Sequence, residues 1–339
     1  MTTAQYLTTL PLDDDWLARL ATSCPDLTIR REVVADPAEI PDSVWRQVDI
    51  LHTSSVLPSP DQAPRLSWIQ LDTSGVEHVS GHPVWRAGVD VTTLGGIAPV
   101  PMGEFTTYCL LGLAHHQPLL DEFRRERHWP SAADRLAMLT PLPVDGATAT
   151  IVGYGRIGQE VARLLQGLGM NIVGVSRRGP SARPDQPQFD TGRGSLDPDS
   201  IEHVAIADMA HVLPRTDYLI VIVPRTPDTV GLLGREEFAL LKHGACLVNV
   251  ARGGVVDEQA LLETLRAGRL RYAALDVFED EPLPDDSPWW EESRTLISPH
   301  VAGLTSRYRE QVLELVSTNV VRYLSGQPLL NRADHASGY

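Results

Sequence analysis

Short apolar runs rich in β-branched residues alternate along this chain with stretches whose apolar positions return every three or four residues. The runs VDILHTS (48–54), SWIQLDT (67–73), ATATIVG (147–153), NIVGVS (171–176), TDYLIVIVP (216–224), ACLVNVA (245–251), YAALDVF (272–278) and TLISP (295–299) predict strands. Several show no polar alternation, as expected of strands covered on both faces. EFTTYCLLGLAHH (104–116) predicts a buried helix, with Pro99 and Pro101 ahead of it and Pro118 behind. ALLETLRAG (260–268) predicts a helix stopped by Gly268, and REQVLELVSTNVVRYLSG (309–326) a closing helix stopped by Gly326. Asp13-Asp14-Asp15 reads as a solvated helix start. The segment 177–200 is rich in Pro, Gly, Ser and charge; it reads as a surface loop, because a strand pattern resumes after it. Regular alternation of strand and helix requires a parallel α/β sheet.

In ATATIVGYGRIGQEVARLL (147–165) a strand passes into a helix through Gly153, Gly155 and Gly158, spaced G-x-G-x-x-G. The first glycine permits a tight turn. The second lets backbone N–H groups approach a pyrophosphate, and the third lets the helix pack close to the strand. The helix N-terminus then faces the phosphates with its partial positive charge. A dinucleotide is therefore expected in the middle of the chain, and redox chemistry with it. An earlier α/β unit must precede this motif. The expected division is residues 1–98 and 304–339 as a substrate-binding domain, with 99–303 inserted as the dinucleotide-binding domain and ligands in the cleft between them.

The length of 339 residues suits about two such domains. A net charge of −15 repels polyanions, so no nucleic-acid partner is expected. Apolar runs such as Leu219 to Val223 are far too short to span a bilayer, and MTTAQYLTTLPLDDDW lacks the pattern of a secretory signal. Cys24, Cys109 and Cys246 stand alone, without metal-ligand spacing, as ordinary thiols of a reducing compartment. Cys246 reads as a small core residue. The expectation is a cytoplasmic protein without a metal or a membrane partner.

VGYGRIGQEVARLL, VPRTPDTVGLL (223–233), NVARGGVVDEQALLETLRAGRL (249–270), ALDVFEDEPLPDDSPWW (274–290) and ISPHVAG (297–303) stand in one order. In that order and spacing the chain resembles the D-isomer-specific 2-hydroxyacid dehydrogenases over nearly its whole length. Upstream, SWIQLDTSGVEHV (67–79) resembles the family's substrate-loop segment, and PMGEFTTYCLL (101–111) the segment leading into its nucleotide domain. The resemblance implies two Rossmann-like, doubly wound parallel-sheet domains. It also implies a homodimer assembled through the nucleotide domains, and hydride transfer between a nicotinamide cofactor and a small 2-keto or 2-hydroxy acid of D configuration.

By the same resemblance Arg252, Glu281 and His300 carry the catalysis, and the reaction needs those residue types. Reduction of a 2-keto acid takes a hydride at C2 and a proton at the carbonyl oxygen. An imidazole titrates near working pH, so His300 is the natural donor, and the base in the reverse direction. Glu281 paired with it would orient the ring and raise its pKa. Arg252 offers a planar fork of donors to a carboxylate and can polarise the carbonyl. The substrate carboxylate is also expected at the N–H groups of Ser74, Gly75 and Val76, where the glycine permits close approach. Asp276 matches the family residue that receives the nicotinamide carboxamide. Arg156 and Ile157 occupy the phosphate turn. Val223, Val250 and Ala251 lie at strand ends near the ring, and Gly303 closes the histidine motif.

One departure bears on the cofactor. An NAD site usually carries an acidic residue about twenty positions beyond the glycines, accepting from the ribose 2′-OH. Here Ser176 stands at that place, followed by Arg177 and Arg178. Serine can donate to a 2′-phosphate and the arginines can pair with it. NADP(H) is expected to be preferred, with NAD(H) possible. His115 and His116 end a helix and read as a cap or as cleft residues. Trp289 and Trp290 read as a pocket wall or a subunit contact, and Arg225 as a neighbour of the cofactor or a solvated residue. The leading function is a glyoxylate/hydroxypyruvate-type reductase. The alternatives are a phosphoglycerate-type biosynthetic dehydrogenase and a non-catalytic NAD(P)-sensing scaffold resembling the family's corepressors. Turnover abolished by His300→Ala separates the enzymes from the scaffold.

Overall fold

The computed structural model describes residues 3–76, 78–86, 88–177 and 196–333. Arg178 and most of the segment 177–200 lie outside the described residues. The chain runs through β1 (Ala4–Thr8), α1 (Asp14–Ser23), β2 (Leu27–Arg31), α2 (Asp42–Trp45), β3 (Ile50–Thr53), β4 (Trp68–Leu71) and β5 (Asp90–Thr92). There follow α3 (Pro99–Ala114), α4 (Gln117–Glu126), α5 (Ala132–Leu139), β6 (Thr148–Val152), α6 (Arg156–Gln166), β7 (Asn171–Ser176), β8 (Ile201–Ala205) and β9 (Tyr218–Val221). The last elements are α7 (Arg235–Leu240), β10 (Ala245–Asn249), α8 (Glu258–Arg266), β11 (Leu270–Leu275), β12 (Thr295–Ile297) and α9 (Tyr308–Leu324). Described residues 3–97 and 305–333 form one unit, and 98–177 with 196–304 form a second.

The first unit holds a five-stranded sheet in the order β2-β1-β3-β4-β5, every pairing parallel. This is the 2-1-3-4-5 order of doubly wound sheets, whose switch point lies between the first and third strands. Strands β3 and β4 are buried at every position, with Trp16, Trp45 and Trp68 filling the layers on either side. Asp13 caps α1 by accepting from the Trp16 N–H, so the acidic run does start a helix.

The second unit holds seven parallel strands in the order β12-β11-β10-β9-β6-β7-β8. Counted from β6, this is the 3-2-1-4-5-6 dinucleotide-binding order with a seventh strand beyond. Helix α3 begins at Pro99, earlier than its composition suggests. Pro99 and Pro101 sit inside the first turn rather than ahead of it, where a missing N–H leaves no intrahelical bond unmade. Among the described residues no helix is long and apolar enough to cross a membrane.

Candidate active site

The glycine turn joins β6 to α6 at the switch point between β6 and β9. Gly153 has φ 107°, and a Cβ there would stand 2.7 Å from the Ile222 backbone. A Cβ on Gly158 would stand 2.4 Å from the Gly153 carbonyl oxygen, so only glycine lets the helix approach the strand. Gly155 differs: a Cβ there would meet no atom of the described residues within 4 Å. As N-cap of α6 it also supplies no side chain to satisfy the first helical N–H groups. Open space over Gly155 beside an uncapped helix N-terminus fits a dinucleotide pyrophosphate. Arg156 and Ile157 are the first two residues of α6. Ser176 ends β7, and Arg177 follows it, exposed. The Val175 carbonyl accepts from the N–H groups of Gly153 and Tyr154, so this strand end adjoins the glycine turn. Val223, Val250 and Ala251 follow β9 and β10 with their side chains buried in the core.

The predicted trio comes from the carboxyl ends of β10, β11 and β12, three neighbouring strands. Arg252 follows β10 and is exposed. Its turn is pinned by glycine: a Cβ on Gly253 would lie 1.9 Å from the Phe278 carbonyl oxygen. Arg225 lies over the same turn, its guanidinium 3.4 Å from where a Cβ on Gly254 would be. Glu281 accepts from the Phe278 N–H through Oε1 (3.0 Å) and from His300 Nδ1 through Oε2 (2.7 Å). Burial works to raise the Glu281 pKa. The hydrogen bonds from His300 and the Phe278 N–H, with the charges of His300 and Arg252, outweigh it and hold the carboxyl below its usual value. An ionised carboxylate only accepts, so Nδ1 carries its proton toward Glu281 and Nε2 is the nitrogen left for proton exchange. The His300 side chain is 46% exposed, which leaves it open to a ligand.

His300 adopts a left-handed backbone, φ 54°, uncommon for a residue with a Cβ. Asp276 imposes it. Its carbonyl accepts from the His300 N–H (2.9 Å), its Oδ1 from Ser298 Oγ (2.6 Å) and the Val301 N–H (2.9 Å), and its Oδ2 from the Ala302 N–H (2.9 Å). This buried carboxylate grips the chain on both sides of the histidine. That positioning role is additional to the carboxamide contact expected of it, and nothing in ALDVF alone signals it. Gly303 follows this gripped segment.

In the first unit, Ser74, Gly75 and Val76 follow β4. Among the described residues their N–H groups donate to no protein acceptor, while Thr73 Oγ1 donates to the Gly75 carbonyl. His116 is buried at the N-cap of α4, bonded to Tyr272 and the Thr140 carbonyl, which makes it structural. Trp289 is core, its indole N–H donating to Glu258, whereas Trp290 is exposed. The three cysteines are free and buried. Burial pushes the Cys109 and Cys246 thiols up to about 12.

Residues 107–302 match the family model described as D-isomer specific 2-hydroxyacid dehydrogenase, NAD binding domain. The chain is 32% identical over 307 residues to a glyoxylate reductase of Thermococcus gammatolerans, covering 87% of each. A D-isomer specific 2-hydroxyacid dehydrogenase of Xanthobacter autotrophicus, solved with NADPH and MES, superposes with a TM-score of 0.78 at 26% identity, over 99% of this chain and 100% of that one. An NADPH-dependent glyoxylate/hydroxypyruvate reductase of Sinorhizobium meliloti, solved with NADP and sulfate, gives 0.75 at 25% identity, over 99% and 100%.

Proposed function

The chain belongs to the D-isomer-specific 2-hydroxyacid dehydrogenases, and from that footing we propose that it reduces small 2-keto acids of the glyoxylate/hydroxypyruvate type with NADPH. The observation that carries this reading is the 2.7 Å contact between His300 Nδ1 and Glu281, which leaves Nε2 as a proton donor. Bound at the glycine turn, the nicotinamide cofactor supplies the hydride. His300 protonates the carbonyl oxygen, and Glu281 holds the ring through Nδ1. Arg252 polarises the carbonyl and pairs with the substrate carboxylate. In the first unit we assign substrate binding to Ser74, Gly75 and Val76, whose N–H groups donate to no protein acceptor among the described residues. We assign cofactor binding to Gly153, Gly155, Arg156, Ile157, Gly158, Val223, Val250, Ala251, Asp276 and Gly303. Residues 99–303 are assigned to nucleotide binding, and 1–98 with 304–339 to substrate binding.

The NADP preference rests on Ser176 and Arg177 at the end of β7, with Arg178 next in sequence. A carboxylate at position 176 would repel a 2′-phosphate, whereas a hydroxyl donates to it and guanidinium groups pair with it. The NADPH- and NADP-bound relatives support the same choice. Three free thiols suit a reducing cytoplasm. The test is a panel of 2-keto acids with each cofactor, followed by nicotinamide absorbance. The expected result is turnover of glyoxylate or hydroxypyruvate with kcat/KM higher for NADPH, abolished by His300→Ala. Equal or better efficiency with NADH overturns the cofactor assignment, and no turnover of any 2-keto acid overturns the enzyme assignment.

A further inference from the structure

The first unit buries a cluster of titratable groups for which the chemistry above has no use. Tyr6 Oη on β1 lies 2.6 Å from His52 Nδ1 on β3, and the rings of Tyr6 and Trp16 enclose the imidazole. Burial raises the Tyr6 pKa well above its usual value, so the hydroxyl keeps its proton. Among the described residues His52 Nε2 is buried without a hydrogen-bond partner, and a carboxylate oxygen, Asp72 Oδ1, lies 3.9 Å from it. The contact is not an ion pair between charged partners at neutral pH, because burial drops His52 to about 3. Tyr308, at the start of α9, also faces Asp72: burial and then the Asp72 charge push its hydroxyl up to about 12. Among the described residues no lysine or arginine forms an ion pair with Asp72.

Asp72 directly follows β4, pinned by its N–H to the Thr53 carbonyl at 3.0 Å, and it stands two positions before Ser74. A carboxyl group that forms no ion pair with a lysine or arginine among the described residues thus stands, in sequence, two to four positions before three amides that donate to no protein acceptor among those residues. We propose that Asp72 is a specificity-determining charge beside the keto-acid carboxylate, selecting monoanionic 2-keto acids over dianionic ones and weakening both as it ionises. The assignment rests on the role given above to the Ser74–Val76 amides. Burial holds Asp72 up to about 6, against an ordinary 3.8. The sign follows: the carboxyl is neutral and permissive at lower pH, and repulsive once pH rises through that value.

The holoenzyme tests this with glyoxylate, a monoanion, and oxaloacetate, a dianion, at about pH 5 and about pH 8 for wild type and Asp72→Asn. For wild type, KM for glyoxylate should rise several-fold more between the two pH values than in Asp72→Asn, on the order of fivefold for one unit charge and more for oxaloacetate. The difference should lie in KM and not in kcat. Binding of oxamate, followed calorimetrically in buffers of different ionisation enthalpy, should show extra proton uptake near neutral pH in wild type only. Should Asp72→Asn fold poorly, Asp72→Ser carries the same arms. Parallel KM profiles in wild type and variant overturn the proposal. Ser74→Pro, which deletes one loop N–H, separates the two levels. An unchanged KM there overturns the loop's role and this proposal with it, whereas a raised KM with parallel profiles overturns the role of Asp72 alone.

Discussion

A histidine that must exchange a proton needs one nitrogen tied and the other free, and the residues around His300 arrange this from two sides. Glu281 holds Nδ1 at 2.7 Å, while Asp276 fixes the left-handed backbone through the N–H groups of residues 300, 301 and 302. Glu281→Gln keeps a hydrogen-bonding group of the same size but removes the carboxylate that accepts from Nδ1. The expected cost is about 10²- to 10³-fold in kcat/KM, with stability little changed because both side chains are partly exposed. Steady-state kinetics beside a denaturant titration checks both halves. The pH dependence has a defined sign. A carboxyl whose folded pKa is lowered keeps its pair above the usual carboxylate range and loses it only as pH falls through the lowered value. Wild-type kcat/KM should therefore show no step from Glu281 at the ordinary glutamate pKa of about 4.3. A step there would mean that the His300 contact does not hold in solution.

At the scale of the element, the strand–turn–helix of β6 and α6 uses its glycines for two different purposes. A methyl group at Gly158 would run into the Gly153 carbonyl, whereas at Gly155 it would meet open space. Gly158→Ala should lower unfolding free energy by about 2 kcal/mol through overpacking. Gly155→Ala should leave stability alone and weaken cofactor binding, read by quenching of tryptophan fluorescence or by calorimetry. If both variants lose stability equally, Gly155 is not reserved for a ligand. The sequence pattern located β3, β4, β6, β7, β9, β10, β11 and β12 because most are apolar on both faces and so stand out as continuous runs. It passed over β2 and β8, where LTIRR and IEHVA sit at sheet edges with mixed polarity. It also passed over β1, whose run AQYLT sets Gln5 and Thr8 among only three apolar positions, and the three-residue β5. The candidate trio could be picked out in the sequence only through the resemblance, because its three segments stand in the family's order and spacing. The grip of Asp276 on residues 298–302 could not be, because it depends on β11 and β12 lying side by side.

On the scale of the whole molecule, the second unit exposes large apolar side chains on and beside α3, α4 and α5. Helix α5 has no buried residue, and Leu136 and Met138 stand exposed along it at 75% and 44%. Trp129, just before it, is 85% exposed, and Tyr108 on α3 and Leu120 on α4 add to the apolar surface. An isolated short helix without a packed face has little to hold it in water. A second copy of the chain laid against these helices would supply the missing cover, and we propose a homodimer on that ground. The charge opposes association: each chain carries −15, so two copies repel, and the apolar contact must exceed that repulsion. Two results should follow in light scattering coupled to size exclusion. The wild-type protein should elute with the mass of two chains, more tightly associated at about 0.15 M salt than at about 0.01 M, because screening removes repulsion without weakening apolar contact. The double substitution Trp129→Asp, Leu136→Asp should give single chains whose far-ultraviolet circular dichroism spectrum loses no more than the short helix α5 contributes, since both side chains lie outside the core. A wild-type mass of one chain at micromolar concentration would leave α5 needing another partner.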